Sequence, residues 1–168
     1  MGVSFNTYRK SKIQELIKEQ LYEIFNTSAM SVDLEPKQNN QGGFNVPTFK
    51  DTQDNEIDII YHYRGNDVYE LDFTINGNSF QNIDVSYSIQ EYAKLLATIA
   101  QSVDIFLDEI KPVGLILDGA DSPRLAAKNP KKIGQKNRIY SYFISAMKDR
   151  EDYKLEKTRH GGFNLIKK

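Results

Sequence analysis

The chain has 168 residues, 39% of them hydrophobic and 27% charged, with a formal net charge of −1. That length fits one domain with a real core, and the near-neutral balance gives the whole molecule no reason to collect on nucleic acid or anionic membrane. There is no cysteine, which excludes disulfide and thiolate chemistry.

The opening "MGVSFNTYRK" holds no apolar core of secretory-signal length, and no later stretch approaches a membrane span. Asn6 stands where a myristoylation signal wants Ser or Thr. The expectation is a soluble protein of the cytoplasm.

The first periodic stretch is "SKIQELIKEQLYEIFN". Ile13, Leu16, Ile17, Leu21, Ile24 and Phe25 share one helical face, with Lys and Glu opposite, and Ser11 with Gln14 resembles a capping box. Such a helix must bury that face against its own domain or against another chain. Residues 27–43 lack periodicity and are rich in breakers, so they are read as a loop tethering the helix. The expected organisation is an amphipathic helix over 1–26, a tether over 27–43 and a single α+β domain over 44–168.

"FNVPTFK" predicts a short strand, with Pro47 at a sheet edge because it cannot donate to a ladder. Ile57, Ile59, Tyr61 and Tyr63 alternate, as do Tyr69, Leu71, Phe73 and Ile75. Both sets share one face only if paired residue numbers sum to an even value, as they do with Tyr63 opposite Tyr69. That parity predicts a three-residue Gly-Asn-Asp turn with one left-handed position.

The stretch 87–112 is a long helix: Ser88 and Glu91 form a capping box, Tyr87 and Tyr92 have staple spacing, and Pro112 stops it. Its stripe of Tyr92, Leu95, Leu96, Ile99, Val103, Phe106, Leu107 and Ile110 requires a sheet beneath it. "VGLIL", residues 113–117, reads as a central strand. A helix over roughly 132–148, with Ile133, Ile139, Tyr140, Phe143, Ile144 and Met147 apolar, and a hairpin about His160-Gly161-Gly162 complete the chain. The fold class is α+β, a mixed and mainly antiparallel sheet with helices mostly on one face.

Between Ser122 and Lys148 seven basic residues occur with no acid: Arg124, Lys128, Lys131, Lys132, Lys136, Arg138 and Lys148. They are read as the solvated side of a core helix, neutralised by Asp104, Asp108, Glu109, Asp118 and Asp121 upstream. In the alternative reading Lys128, Lys131, Lys132, Lys136 and Arg138 contact phosphates. Arg138 is read as a helix-fixing partner of Asp118 or Asp121. Asp58, Glu70 and Asp72 lie on the polar sides of neighbouring strands, which raises metal-dependent hydrolysis; an ordinary wetted strand face is the preferred reading. The two histidines, His62 and His160, are too few for a structural zinc site without carboxylates. No Walker loop, GxSxG, GxGxxG or HExxH is found, so the expectation is a non-enzymatic chain without cofactor.

The order of "YELDFTINGN", "LLATIAQSVDIFLDEIKPVGLIL" and "KNRIYSYFISAMK", then an aromatic at Tyr153, resembles a group of small proteins encoded by tailed bacteriophages. The resemblance spans about residues 57–155 and carries no catalytic signature. It departs at Asp118-Gly119-Ala120, where polar Ser- or Lys-rich loops are usual, and excludes 27–43. It implies a phage protein, in host cytoplasm or virion, and assigns no functional residue. The leading expectation is therefore a structural or accessory component that binds other protein chains, itself included, through Ile13, Leu16, Leu21 and Phe25.

Overall fold

The structure is a computed structural model and describes residues 29–79, 87–117, 150–158 and 162–168. The expected helices at 11–25 and 132–148, and the whole basic run, lie outside the described residues. What is described is a mixed, mainly antiparallel sheet with one helix, an α+β arrangement. The strands are β1 (Lys37–Gln38), β2 (Phe44–Asn45), β3 (Phe49–Lys50), β4 (Glu56–Gly65), β5 (Val68–Ile75), β6 (Asn78–Ser79), β7 (Gly114–Leu117), β8 (Tyr153–Lys157) and β9 (Phe163–Lys167); the helix is α1 (Ile89–Ile110). The spatial order is β1-β2-β4-β5-β7-β9-β8, with β3 also on β4 and β6 on β5.

Period-two alternation makes β4 and β5 the centre of the sheet. Ile57, Ile59, Tyr61, Leu71, Phe73 and Ile75 are buried on one face, and Tyr63 pairs with Tyr69 as the parity argument requires. The turn differs from the three-residue expectation. It is a two-residue Asn66-Asp67 turn with both residues at positive φ, 51° and 58°, the signature of type I′. Parity is restored one step earlier: Tyr63 pairs Tyr69 and Gly65 pairs Val68, so β4 bulges by one residue. Gly65, at φ 93°, takes the backbone angle that this requires. Tyr63 keeps the inner side but stands 46% exposed at the strand end, against Tyr69 at 5.4 Å.

"FNVPTFK" is two strand pieces rather than one. Asn45 pairs Ile60 and Phe49 pairs Ile57, so four steps on one strand meet three on the other. The extra residue falls around Pro47, where a bulge tolerates the missing N–H. The described part of the expected tether, 29–43, is held to the domain. Leu34 is buried, Met30 and Val32 pack on the core, and the Met30 amide donates to Thr98 Oγ1 at 2.9 Å. A β1–β2 hairpin follows; a side chain at Gly43 would put its Cβ 2.4 Å from the Tyr61 carbonyl.

Helix α1 starts as its sequence dictates. Ser88 Oγ accepts the Glu91 amide, Glu91 accepts the Ser88 amide, and Tyr87 and Tyr92 lie 6.4 Å apart. It ends with Lys111 left-handed (φ 53°) before Pro112. Leu95, Leu96, Ile99, Val103, Phe106 and Leu107 are buried in one cluster with the inner face of the sheet. At the centre, Phe106 stacks on Tyr61 with centroids 3.8 Å apart, and Tyr61 Oη and Ser102 Oγ share a 2.8 Å hydrogen bond. Passing through α1, the chain returns as β7 parallel to β5, Val68 opposite Gly114. Two antiparallel pairings, β7–β9 and β9–β8, then complete the sheet.

Truncation at this centre is expected to be costly. Phe106→Ala should lower the unfolding free energy by about 3–5 kcal/mol, and Tyr61→Phe, which orphans the Ser102 hydroxyl, by about 1–3 kcal/mol. Urea denaturation midpoints check both.

Candidate functional site

None of the expected partner-binding residues (Ile13, Leu16, Leu21, Phe25) or phosphate-contacting residues (Lys128, Lys131, Lys132, Lys136, Arg138) lies among the described residues. The described polar groups form three sets: one at each end of α1 and one on the outer sheet face.

At the N-terminal end of α1, the loop after β3 is folded by Asp51. Its Oδ1 accepts the amides of Gln53 (2.8 Å) and Asn55 (2.9 Å), a side-chain turn typical of Asp. Tyr87 Oη donates to Asp51 Oδ2, and Gln53 Nε2 reaches Glu91 at 2.9 Å. Asn76 bonds Asn55, at 2.8 Å, and the Glu56 amide, so the β5–β6 turn joins the same network. That turn is Asn76-Gly77, both at positive φ. Burial works against the ionised Asp51 carboxylate, yet the hydrogen bonds from Tyr87, Asn55 and Gln53 outweigh it and hold its pKa below the usual range. Burial first, then the Asp51 contact, pushes the Tyr87 phenol well up. Backbone and side-chain bonds to Ser88 lower Glu91.

At the other end Arg150 gathers three acids. Its guanidinium contacts Asp104 Oδ1 at 2.9 Å, Asp108 Oδ1 at 2.5 Å and Asp152 Oδ2 at 3.0 Å. It also lies 5.7 Å from the Tyr153 ring centroid. The planar fork explains why one cation serves α1 and the approach to β8 together. The hydrogen bond from Arg150 depresses the Asp152 pKa. Burial pushes the Tyr153 phenol up to about 12, and its hydroxyl donates to the Pro112 carbonyl at 2.8 Å. Both end clusters join elements of the fold, which is a structural use of charge.

The outer sheet face carries the carboxylates that raised metal chemistry. Asp58 accepts from Thr48 Oγ1 at 2.6 Å, and Glu70 is taken by Arg64. Asp72 lies 3.8 Å from His62 Nε2. Thus Asp58, Glu70 and Asp72 do share a face, each with a different neighbour; among the described residues no group of three or more His, Asp or Glu is placed to hold a metal. His160 lies outside the described residues.

Apolar side chains break the rim of the domain at Tyr63, Val113 and Leu155, the last on the outermost strand β8. No family model, curated protein or solved structure matches this chain. Among the described residues no helix is long and apolar enough to cross a membrane.

Sequence reading found the carboxylates and the capping pair but missed Arg150 and Asp51. Asp51 had a local signal in its Asp-Thr-Gln-Asp-Asn run. Arg150 had none, because two of its three acids are more than forty positions away.

Arg150→Ala should cost about 1.5–3 kcal/mol, the range for hydrogen bonds to charged groups, read by chemical denaturation at low salt. Asp51, Glu91 and Asp152 have folded-state pKa values below their unfolded ones. Their contribution is therefore complete above the ordinary carboxylate range and lost as pH falls through the depressed values. The melting temperature should hold from neutral pH to about pH 5 and fall below it, less steeply in Asp51→Asn.

Proposed function

We propose that this chain is a non-enzymatic protein that binds other protein chains, a structural or accessory component encoded by a tailed bacteriophage. The observation that carries the reading is apolar surface at the rim: Leu155 is 38% exposed on β8, with Tyr63 and Val113 also presented. Apolar and aromatic side chains at a rim suit a protein interface. The amphipathic pattern of Ile13, Leu16, Leu21 and Phe25 adds a second contact surface. The phage assignment rests on the resemblance over residues 57–155.

A second reading, phosphate contact through Lys128, Lys131, Lys132, Lys136 and Arg138, gains from one observation. Asp104 and Asp108, two acids expected to neutralise the basic run, are engaged by Arg150.

Light scattering of the full chain tests the first reading: Leu16→Asp with Leu21→Asp should lower the assembly mass, and an unchanged mass counts against this helix. A gel shift tests the second. Five phosphate contacts, one for each of these residues, would weaken binding roughly 500-fold between about 50 and 200 mM salt, and no shift at low salt removes that reading.

A further inference from the structure

We propose that β8 is a self-docking edge, along which two copies of this chain pair antiparallel about Leu155 to make one continuous sheet. The proposal rests on the reading of the chain as an interaction protein and names its partner.

β8 ends the strand order, and among the described residues it pairs only with β9. Two bonds set the phase of that ladder: Lys168 donates its amide to the Asp152 carbonyl at 3.0 Å, and Thr158 donates to the Gly162 carbonyl at 2.8 Å. With Lys154 opposite Ile166 and Glu156 opposite Asn164, the even positions turn their backbone groups toward β9. The amides and carbonyls of Tyr153, Leu155 and Lys157 therefore point away from β9, to a side where no strand pairs among the described residues. An unpaired edge of this kind is a template for another strand.

Side chains select which strand fits and in which register. Lys154 and Glu156 lie on the outer face, exposed, 2.8 Å apart. Leu155 lies on the helix side, on the face of Leu165 and Leu115, with 38% of its surface exposed. Odd positions must meet odd positions across the new ladder, which leaves three near-central registers. Centring on Lys154 opposes lysine to lysine, and centring on Glu156 opposes glutamate to glutamate. Centring on Leu155 sets Lys154 of each copy against Glu156 of the other, twice, and brings the two leucines together on the two-fold axis. Opposite charges across a strand pair stabilise and like charges destabilise. Lys154 and Lys157 would turn away an arbitrary strand; "YKLEK" itself supplies the complementary charge. A two-fold, self-complementary contact is also the commonest closed arrangement of identical chains.

The test is sedimentation equilibrium of the full chain over a range of concentrations at moderate salt. The expected result is a concentration-dependent dimer. Lys154→Glu and Glu156→Lys should each weaken it roughly ten-fold by opposing like charges twice. The double swap Lys154→Glu with Glu156→Lys should restore it, and mixing the two single variants should give a heterodimer. Leu155→Pro removes an outward amide and should abolish pairing. If that variant does not fold by circular dichroism, the charge series decides alone. A monomer at every concentration, or a dimer whose constant the charge variants leave unchanged, overturns the proposal. Leu16→Asp with Leu21→Asp is measured alongside. A dimer lost only in that variant forms through 11–25, which rejects the β8 edge and leaves the broader function standing.

Discussion

The described fold depends on burying the apolar stripe of α1 against the inner face of β4, β5 and β7. Leu95, Ile99, Val103, Phe106 and Leu107 on the helix meet Ile57, Ile59, Tyr61, Leu71, Phe73 and Leu115 on the sheet in one cluster. Apolar burial supplies the drive but little direction. Direction comes from the Tyr61–Phe106 stack and the Tyr61–Ser102 hydrogen bond at its centre. A helix rotated about its axis would lose both and leave two hydroxyls buried without partners, a cost comparable to a lost hydrogen bond each. The same contact lets α1 carry the chain from β5 to a parallel β7, on which β9 and then β8 are laid.

Charge and polar side chains hold the two ends of that helix. Asp51, Asn55, Tyr87 and Glu91 fasten its start to the β3–β4 loop, while Arg150 fastens its last turns to the approach to β8. These groups are occupied with one another across different elements, so the described charges read as joints. In the proposed interaction role the surfaces offered to a partner are the exposed apolar residues Tyr63, Val113 and Leu155 and the side of β8 away from β9, with its alternating Lys154, Leu155, Glu156 pattern.

Legibility in the sequence followed the range of the interaction. The α1 capping box, the Tyr87–Tyr92 staple, the stop at Pro112, the inward alternation of β4 and β5 and the C-terminal hairpin all depend on residues within a few positions or on a simple period. They were readable for that reason. The β4–β5 turn was read one residue wrong because parity can be kept by a longer loop or by a bulge, and only the twist of the assembled strands favours the two-residue turn. The Asn76-Gly77 hairpin signal was present in the sequence and belongs to the readable class, although β6 was not among the strands expected. The candidate sites fared differently. Asp58, Glu70 and Asp72 were correctly placed on one face, but their separate pairings with Thr48, Arg64 and the neighbouring His62 depend on side-chain reach.

By itself the sequence determined the periods, and with them the long strands β4 and β5, where α1 starts and stops, and which of their faces are apolar. Tertiary structure alone decided that Ser102 meets Tyr61, that Met30 binds Thr98, that Arg150 collects Asp104 and Asp108, and that β8 comes last in the order of the described strands. The physical reason is that local preferences act through the backbone of neighbouring residues. Pairing between residues forty or more positions apart is chosen only when the core closes and buried polar groups must find partners.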